Sequence, residues 1–162
     1  VKDGENVMVM FAGVGPFAIE IAKRHKDAKV VAIELNTHAY KSMLENIAIN
    51  KVENVIPVKG DVSKKVEKFR NWSDRVVMPL PKSARNFLDS VLVTAKNPCI
   101  VHYYFFGKQE NALEKEKLKI REFFEKKGKK VRFLFSRIVR PYSPGIIELV
   151  VDFEIYENKN TA

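Results

Sequence analysis

Apolar residues follow two rhythms along this chain. Short uninterrupted runs, Val7-Met8-Val9-Met10-Phe11 and Lys29 to Ile33, followed by Asn54 to Val58 and Arg75 to Met78, read as buried strands. Between them the apolar positions recur at helical spacing. Phe17, Ile21 and Ala22 form one face behind Pro16, which suits a first helical position because its missing N–H costs nothing there. The basic cluster Lys23-Arg24-His25-Lys26 closes that helix. Tyr40, Met43, Leu44 and Ile47 predict a second helix, capped by Thr37 and running to about Asn50. A short helix is expected from Ser63 to Phe69 and another from Ser83 to Ala95. Cys99 to Phe106 reads as a fifth strand. Gln109 to Lys127 reads as a long charged helix with Leu113, Ile120, Phe123 and Phe124 inward, ended by Gly128. Lys130 to Val139 and Ile146 to Tyr156 are two final strands joined around Pro141-Tyr142-Ser143-Pro144-Gly145.

Strands alternating with helices predict an α/β fold built on a doubly wound parallel sheet. The last two strands have only a turn between them and so form a C-terminal antiparallel hairpin. A plain dinucleotide-binding fold would continue with another βαβ unit. Residues 1–157 are expected to form one domain and 158–162 a disordered tail. The opening Val1-Lys2-Asp3-Gly4-Glu5 reads as a turn leading into a strand, so the chain is expected to be a fragment of a longer one.

Composition narrows the function. The 162 residues are 46% hydrophobic, enough for one core, and no apolar run approaches the length of a membrane span. No signal-peptide pattern opens the chain. The lone Cys99 can form neither an internal disulfide nor a zinc cluster, which fits a cytoplasmic monomer without metal. The net charge of +9 favours a polyanionic partner such as nucleic acid, the bland alternative being a lysine-rich solubilising surface.

Candidate chemistry falls at strand ends. Phe11-Ala12-Gly13-Val14-Gly15 follows the first strand and opens a helix, where glycines let backbone approach a ligand. Glu34 ends the second strand, with Leu35 and Asn36 after it, and a carboxylate there can accept from ribose hydroxyls. Asp61 ends the third, positioned to accept from an adenine amino group with Val62 beside the ring, or to cap a helix. Pro79-Leu80-Pro81-Lys82 leaves the fourth strand as a stiff loop suited to positioning a flat base. Arg132, Arg137 and Arg140, with Tyr142, form a strip that can meet RNA phosphates and a base, or guard a sheet edge. His25, His38 and His102 do not cluster as metal ligands. His102 is the nearest guess for a base.

The segments Phe11-Ala12-Gly13-Val14-Gly15-Pro16-Phe17, Ala32-Ile33-Glu34-Leu35-Asn36, Glu45-Asn46-Ile47, Asn50 to Val55, Gly60-Asp61, Leu80-Pro81-Lys82-Ser83-Ala84, Ile100 to Tyr104 and Tyr142 to Gly145 together resemble archaeal tRNA (guanine-37) methyltransferases of the Trm-five type. The resemblance implies a class I methyltransferase, Rossmann-like fold. It implies transfer of a methyl group from S-adenosyl-L-methionine to the purine at position 37 of tRNA. Cofactor roles fall on Phe11 to Gly15, Glu34, Leu35, Asp61 and Val62, and the target base on Pro79 to Pro81. The resemblance also implies N-terminal domains that grip the tRNA and a catalytic segment before the first strand, so the catalytic residue is expected upstream of Val1. Two positions depart from the family pattern: Val9 where it has Asp, and Pro79 where it has the Asn of Asn-Leu-Pro. The second leaves open a wyosine precursor as substrate, or aminocarboxypropyl transfer on the same scaffold; a noncatalytic RNA-binding module is the competing reading, against which the rigid Pro79-Leu80-Pro81 loop favours an enzyme.

Overall fold

The computed structural model describes residues 1–80, 82–108 and 111–157. The strands are β1 (Asn6–Met10), β2 (Lys29–Glu34), β3 (Val55–Lys59), β4 (Ser73–Met78), β5 (Ala95–Lys108), β6 (Lys130–Ser143) and β7 (Ile146–Tyr156). The helices are α1 (Pro16–Arg24), α2 (Thr37–Ile49), α3 (Val62–Lys65), α4 (Leu88–Thr94) and α5 (Ala112–Glu125). One seven-stranded sheet has the order β3-β2-β1-β4-β5-β7-β6. The first five strands are parallel, and β7 runs antiparallel between β5 and β6. The predicted α/β architecture holds, including the hairpin.

Strand periodicity divides the core in two. Met8, Met10, Val31, Ile33, Val76, Met78, Val101 and Tyr103 face α3, α4 and α5, where Leu88, Ile120 and Phe124 meet them. Val7, Val9, Val30, Ala32 and Val77 face α1 and α2 and pack on Ala18, Ala22 and Met43. Each edge of the sheet is protected against further pairing. Pro57 lies in edge strand β3, which tolerates a missing donor, and β6 carries three register shifts and a row of arginines.

Several boundaries move from their predicted places. Asn36, not Thr37, caps α2: its Oδ1 accepts from the N–H groups of His38 and Ala39, at 2.9 and 3.1 Å. The expected helix from Ser83 to Ala95 is a 3-10 turn (Ala84–Phe87) followed by α4. β5 begins at Ala95 because that residue already pairs with Ser73, beside a buried Ser73–Thr94 hydroxyl bond of 2.7 Å. β6 continues to Ser143 because β7 offers it partners as far as Ile146. The expected tail, 158–162, lies outside the described residues.

A chain of charged and polar groups ties four segments together. The Arg75 guanidinium donates to both Glu5 oxygens at 2.8 and 2.9 Å and to His102 Nε2 at 2.8 Å. His102 Nδ1 lies 2.8 Å from Asp152 Oδ1. Arginine only donates, so Nε2 accepts, and the imidazole is neutral with its proton on Nδ1, given to Asp152. Burial opposes ionisation of Glu5, but Arg75 and the Lys2 N–H more than offset it, and the carboxyl is held below its ordinary range. Such a group contributes stability that is complete above its unfolded pKa and is lost as pH falls through the folded one. Glu5→Gln should therefore cost about 3 kcal/mol at neutral pH by leaving Arg75 half-paired. The gap between variant and parent should close on acidification below about pH 4; urea unfolding at the two pH values measures both effects.

Candidate functional site

A cleft of about 490 Å³ opens at the carboxyl ends of the central strands. It lies at the switch point, where β1 is followed in sequence by β2 on one side and flanked by β4 on the other. Phe11 comes from the end of β1, Glu34, Leu35 and Asn36 from the end of β2, Asp61 and Val62 from beyond β3, and Pro79 and Leu80 from beyond β4. Ser83 and Phe87 complete the wall.

Glu34 organises the first two strand ends. It is 9% exposed, and its oxygens accept from the backbone N–H groups of Gly13 at 2.8 Å and Asn36 at 2.6 Å. The Ala12 N–H bonds the Ile33 carbonyl at 2.9 Å, so the loop after β1 lies against the end of β2. A carboxylate offers about four acceptor directions, so Glu34 keeps capacity for a ligand's hydroxyls. Phe11 turns the chain at φ +59°, a conformation that a bulky side chain seldom takes, and its ring meets Phe87 edge-on at 4.6 Å. Asp61 caps α3: its Oδ1 accepts from the Ser63 N–H at 2.9 Å and the Ser63 hydroxyl at 2.8 Å. Those two bonds outweigh its small desolvation and hold its carboxyl below the usual range, so it stays a pure acceptor. Its second oxygen has no hydrogen bond within the described residues.

Of the predicted glycine loop, Phe11 lines the cleft, and Ala12, Gly13, Val14 and Gly15 are not among its lining residues. Gly13 is committed to Glu34, and the Val14 carbonyl accepts from the Asn46 amide at 2.9 Å. Gly15 has φ +90°, and a Cβ there would lie 2.9 Å from Met43 Cγ, so its service is to the turn and to α2. The Asn36 side chain is engaged in capping, its N–H is given to Glu34 and its carbonyl accepts from the Tyr40 N–H. Ser83 and Phe87 were missed because they open what reads as an ordinary apolar helix; only the placement of the turn after β4 brings them to the wall.

The arginine strip changes character. Arg132 pairs with Glu154 at 2.7 Å and Arg140 with Glu148 at 2.6 Å, because the register sets each directly opposite its partner. Those two charges are therefore largely offset. Arg137 stands opposite Val150 and makes no ion pair among the described residues. Tyr142 is half-exposed and packs on Phe106 at 4.2 Å. Lys82 is exposed beside Ser83, and Pro81 lies outside the described residues. His102 is no candidate base, since Arg75 occupies its free lone pair. Burial pushes the Cys99 thiol up to about 12, in keeping with an inert core residue. No group of three or more potential metal ligands occurs among the described residues, and none of their helices is long and apolar enough to cross a membrane.

Sheet order, final antiparallel strand and switch-point cleft define the Rossmann-like methyltransferase fold. A precorrin-6y C5,15-methyltransferase from Geobacter metallireducens shares it at TM-score 0.67 with 17% identity. The chain belongs to the TRM5/TYW2 methyltransferase domain family, whose profile matches residues 1–134. It is 40% identical to the tRNA (guanine(37)-N(1))-methyltransferase Trm5b of Pyrococcus abyssi over 95% of this chain and 45% of that protein. It is 35% identical to the tRNA(Phe) (4-demethylwyosine(37)-C(7)) aminocarboxypropyltransferase of Methanocaldococcus jannaschii over 93% of this chain and 60% of that protein. The structure of M. jannaschii TYW2 in complex with AdoMet superposes at TM-score 0.91, with 34% identity, covering 97% of this chain and 71% of that one. The chain thus spans about half the length of these curated relatives.

Gly15→Ala should destabilise the fold by about 2 kcal/mol, from the left-handed backbone and from contact with Met43. Val14→Ala, at a neighbouring exposed position, should stay within about 0.5 kcal/mol of the parent. Urea unfolding of both variants checks the assignment; equal losses would mean that neither the left-handed backbone of Gly15 nor its approach to Met43 sets the cost.

Proposed function

We propose that this domain binds S-adenosyl-L-methionine in the switch-point cleft and transfers its methyl group to the purine at position 37 of tRNA. The observation that carries the reading is the convergence of Glu34, Asp61 and the Pro79-Leu80 turn on one cleft from three successive strand ends. The residues fit the cofactor's chemistry. Phe11, Val62 and Phe87 offer an apolar slot for a flat adenine. The unpartnered Asp61 oxygen can accept its amino group, and Glu34 can accept the ribose hydroxyls. Leu80 and the stiff turn at Pro79 border the place where a target base would stand. When bound, the cofactor supplies an electrophilic carbon on a sulfonium centre. The chain's part is to orient that carbon and the base and to exclude water from between them.

A ring nitrogen that accepts a methyl group must lose its proton. Glu34 and Asp61 are the carboxylates of the described cleft wall, and both serve the cofactor; His102 is locked by Arg75. We therefore assign the proton acceptor to a group outside the described cleft, upstream of Val1. Arg137 and Tyr142 are assigned to RNA contact. A tRNA substrate supports a cytoplasmic location for the domain.

The kinship with aminocarboxypropyltransferases, and the TM-score of 0.91 to TYW2, support a second reading in which another carbon of the same sulfonium is transferred. The co-product separates the two. Methyl transfer leaves S-adenosylhomocysteine, and aminocarboxypropyl transfer leaves 5′-methylthioadenosine.

Calorimetry should show S-adenosyl-L-methionine binding and no NAD binding, with Glu34→Ala weakening the former by about 1–3 kcal/mol. Tight NAD binding alone would move the protein to the oxidoreductases. Incubated with tRNA and cofactor, a chain extended upstream of Val1 should release S-adenosylhomocysteine about 100-fold faster than this chain. Comparable rates would place the base within the residues described. Release of methylthioadenosine would establish the second reading.

A further inference from the structure

The cleft continues into a second feature that the sequence did not announce. Ser83 is shared between the cleft and a neighbouring hollow, which shares Arg85, Phe105 and Glu116 with a third. The three form one furrow that leaves the cleft at the turn after β4, crosses the end of β5 and reaches the exposed face of α5. Gly107 permits the last part, because a Cβ there would lie 2.4 Å from that of Ala112 and push α5 off the strand.

The furrow is strongly one-signed. Lys82 and Arg85 line its middle, and Lys108, Lys115 and Lys119 its far end. Glu116 is the one acid among the described lining residues. Its side chain is 8% exposed and already engaged, by the Arg85 guanidinium and by the Tyr103 hydroxyl at 2.9 Å. That pair cancels Arg85 and leaves four lysines uncompensated. The ion pairs of α5 within the described residues use Glu114, Glu116 and Lys117, so Lys115 and Lys119 stand in none of them. One helical turn apart, these two lie about 5–6 Å from each other, the scale of successive phosphates on a strand. The arginine strip of β6 is the weaker candidate for that role, since Arg132 and Arg140 face carboxylates.

We infer that this furrow holds the sugar–phosphate backbone of the single-stranded RNA flanking the target nucleotide, with Lys115 and Lys119 as its outer phosphate contacts. The inference rests on the reading that the domain acts on tRNA, and adds the path that the strand takes away from the cleft. Lysines placed along a groove leading to a base-sized opening attract a backbone without selecting its sequence, and do so in a salt-dependent way.

The test is binding of an anticodon stem-loop RNA to this chain loaded with S-adenosyl-L-methionine, over a range of salt concentrations. Lys115→Gln with Lys119→Gln should weaken binding about fivefold or more at low salt. The slope of log K against log salt should fall by about 1.4, two single-strand phosphate contacts. Cofactor affinity should not move. Lys26→Gln with Lys29→Gln, at the opposite pole of the sheet, removes the same charge and should change little. Equal losses in the two pairs would reduce the furrow to general attraction and overturn the inference; so would an unchanged α5 pair. Absence of RNA binding by the parent would instead strike the tRNA reading itself. Lysine acetylation read by mass spectrometry gives an independent measure on the unaltered chain. RNA should protect Lys82, Lys115 and Lys119 and leave Lys26 and Lys29 reactive, and the reverse pattern would also overturn the assignment.

Discussion

The Glu34 carboxylate, held by two backbone N–H groups from two different loops, is the constraint on which the site depends. A parallel sheet delivers strand ends to one edge but does not fix the loops that leave them. Glu34 fixes two at once. The loop after β1 cannot drift from the loop after β2 without leaving a charged oxygen without its donor in a nearly closed place. Because both donors belong to the backbone, the arrangement survives changes of side chain at Gly13 and Asn36 better than a side-chain pair would. It also leaves the outward directions of the carboxylate for a ligand.

Much of the fold was written in runs of apolar residues. Val7 to Met10 and Val30 to Ile33 are buried on both faces, and such strands have no polar rhythm to mislead. The site was legible for a related reason: Glu34, Asp61 and Pro79 interrupt or end those runs, so a ligand-type residue at the edge of an apolar run marks a strand end. What stayed hidden depends on residues far apart in sequence. Ala95 joins β5, and Ser143 ends β6, because distant strands offer them partners. Arg132 and Arg140 read as free cations until the β7 register sets Glu154 and Glu148 opposite them. Glu116 sits in the middle of a run of charge, and nothing in that run distinguishes the buried acid from its solvated neighbours.

The same molecule treats its charges in two ways. Around Arg75 they are enclosed and fully paired, which fixes the tautomer of His102 and removes it from chemistry. Along α5 they are exposed and mostly unanswered, which suits transient contact with a flexible polyanion. The distinction matters more than the net charge of +9, which alone supports a solubilising surface as readily as a binding one.

The placement of β7 between β5 and β6 has a consequence for how the chain is made. Strands β1 to β4, and with them most of the cleft, are complete within the first half of the sequence. The free edge of β5 is closed only by β7, and β6, which precedes β7, has no place in the sheet until its successor arrives. During synthesis the domain therefore holds an assembled cleft beside a long unpaired edge rich in aromatic residues, Tyr103 to Phe106. An interval of that kind favours pairing with other nascent chains. Loss of β7 would make that interval permanent, because β7 is the strand that pairs with β5 from Cys99 to Lys108.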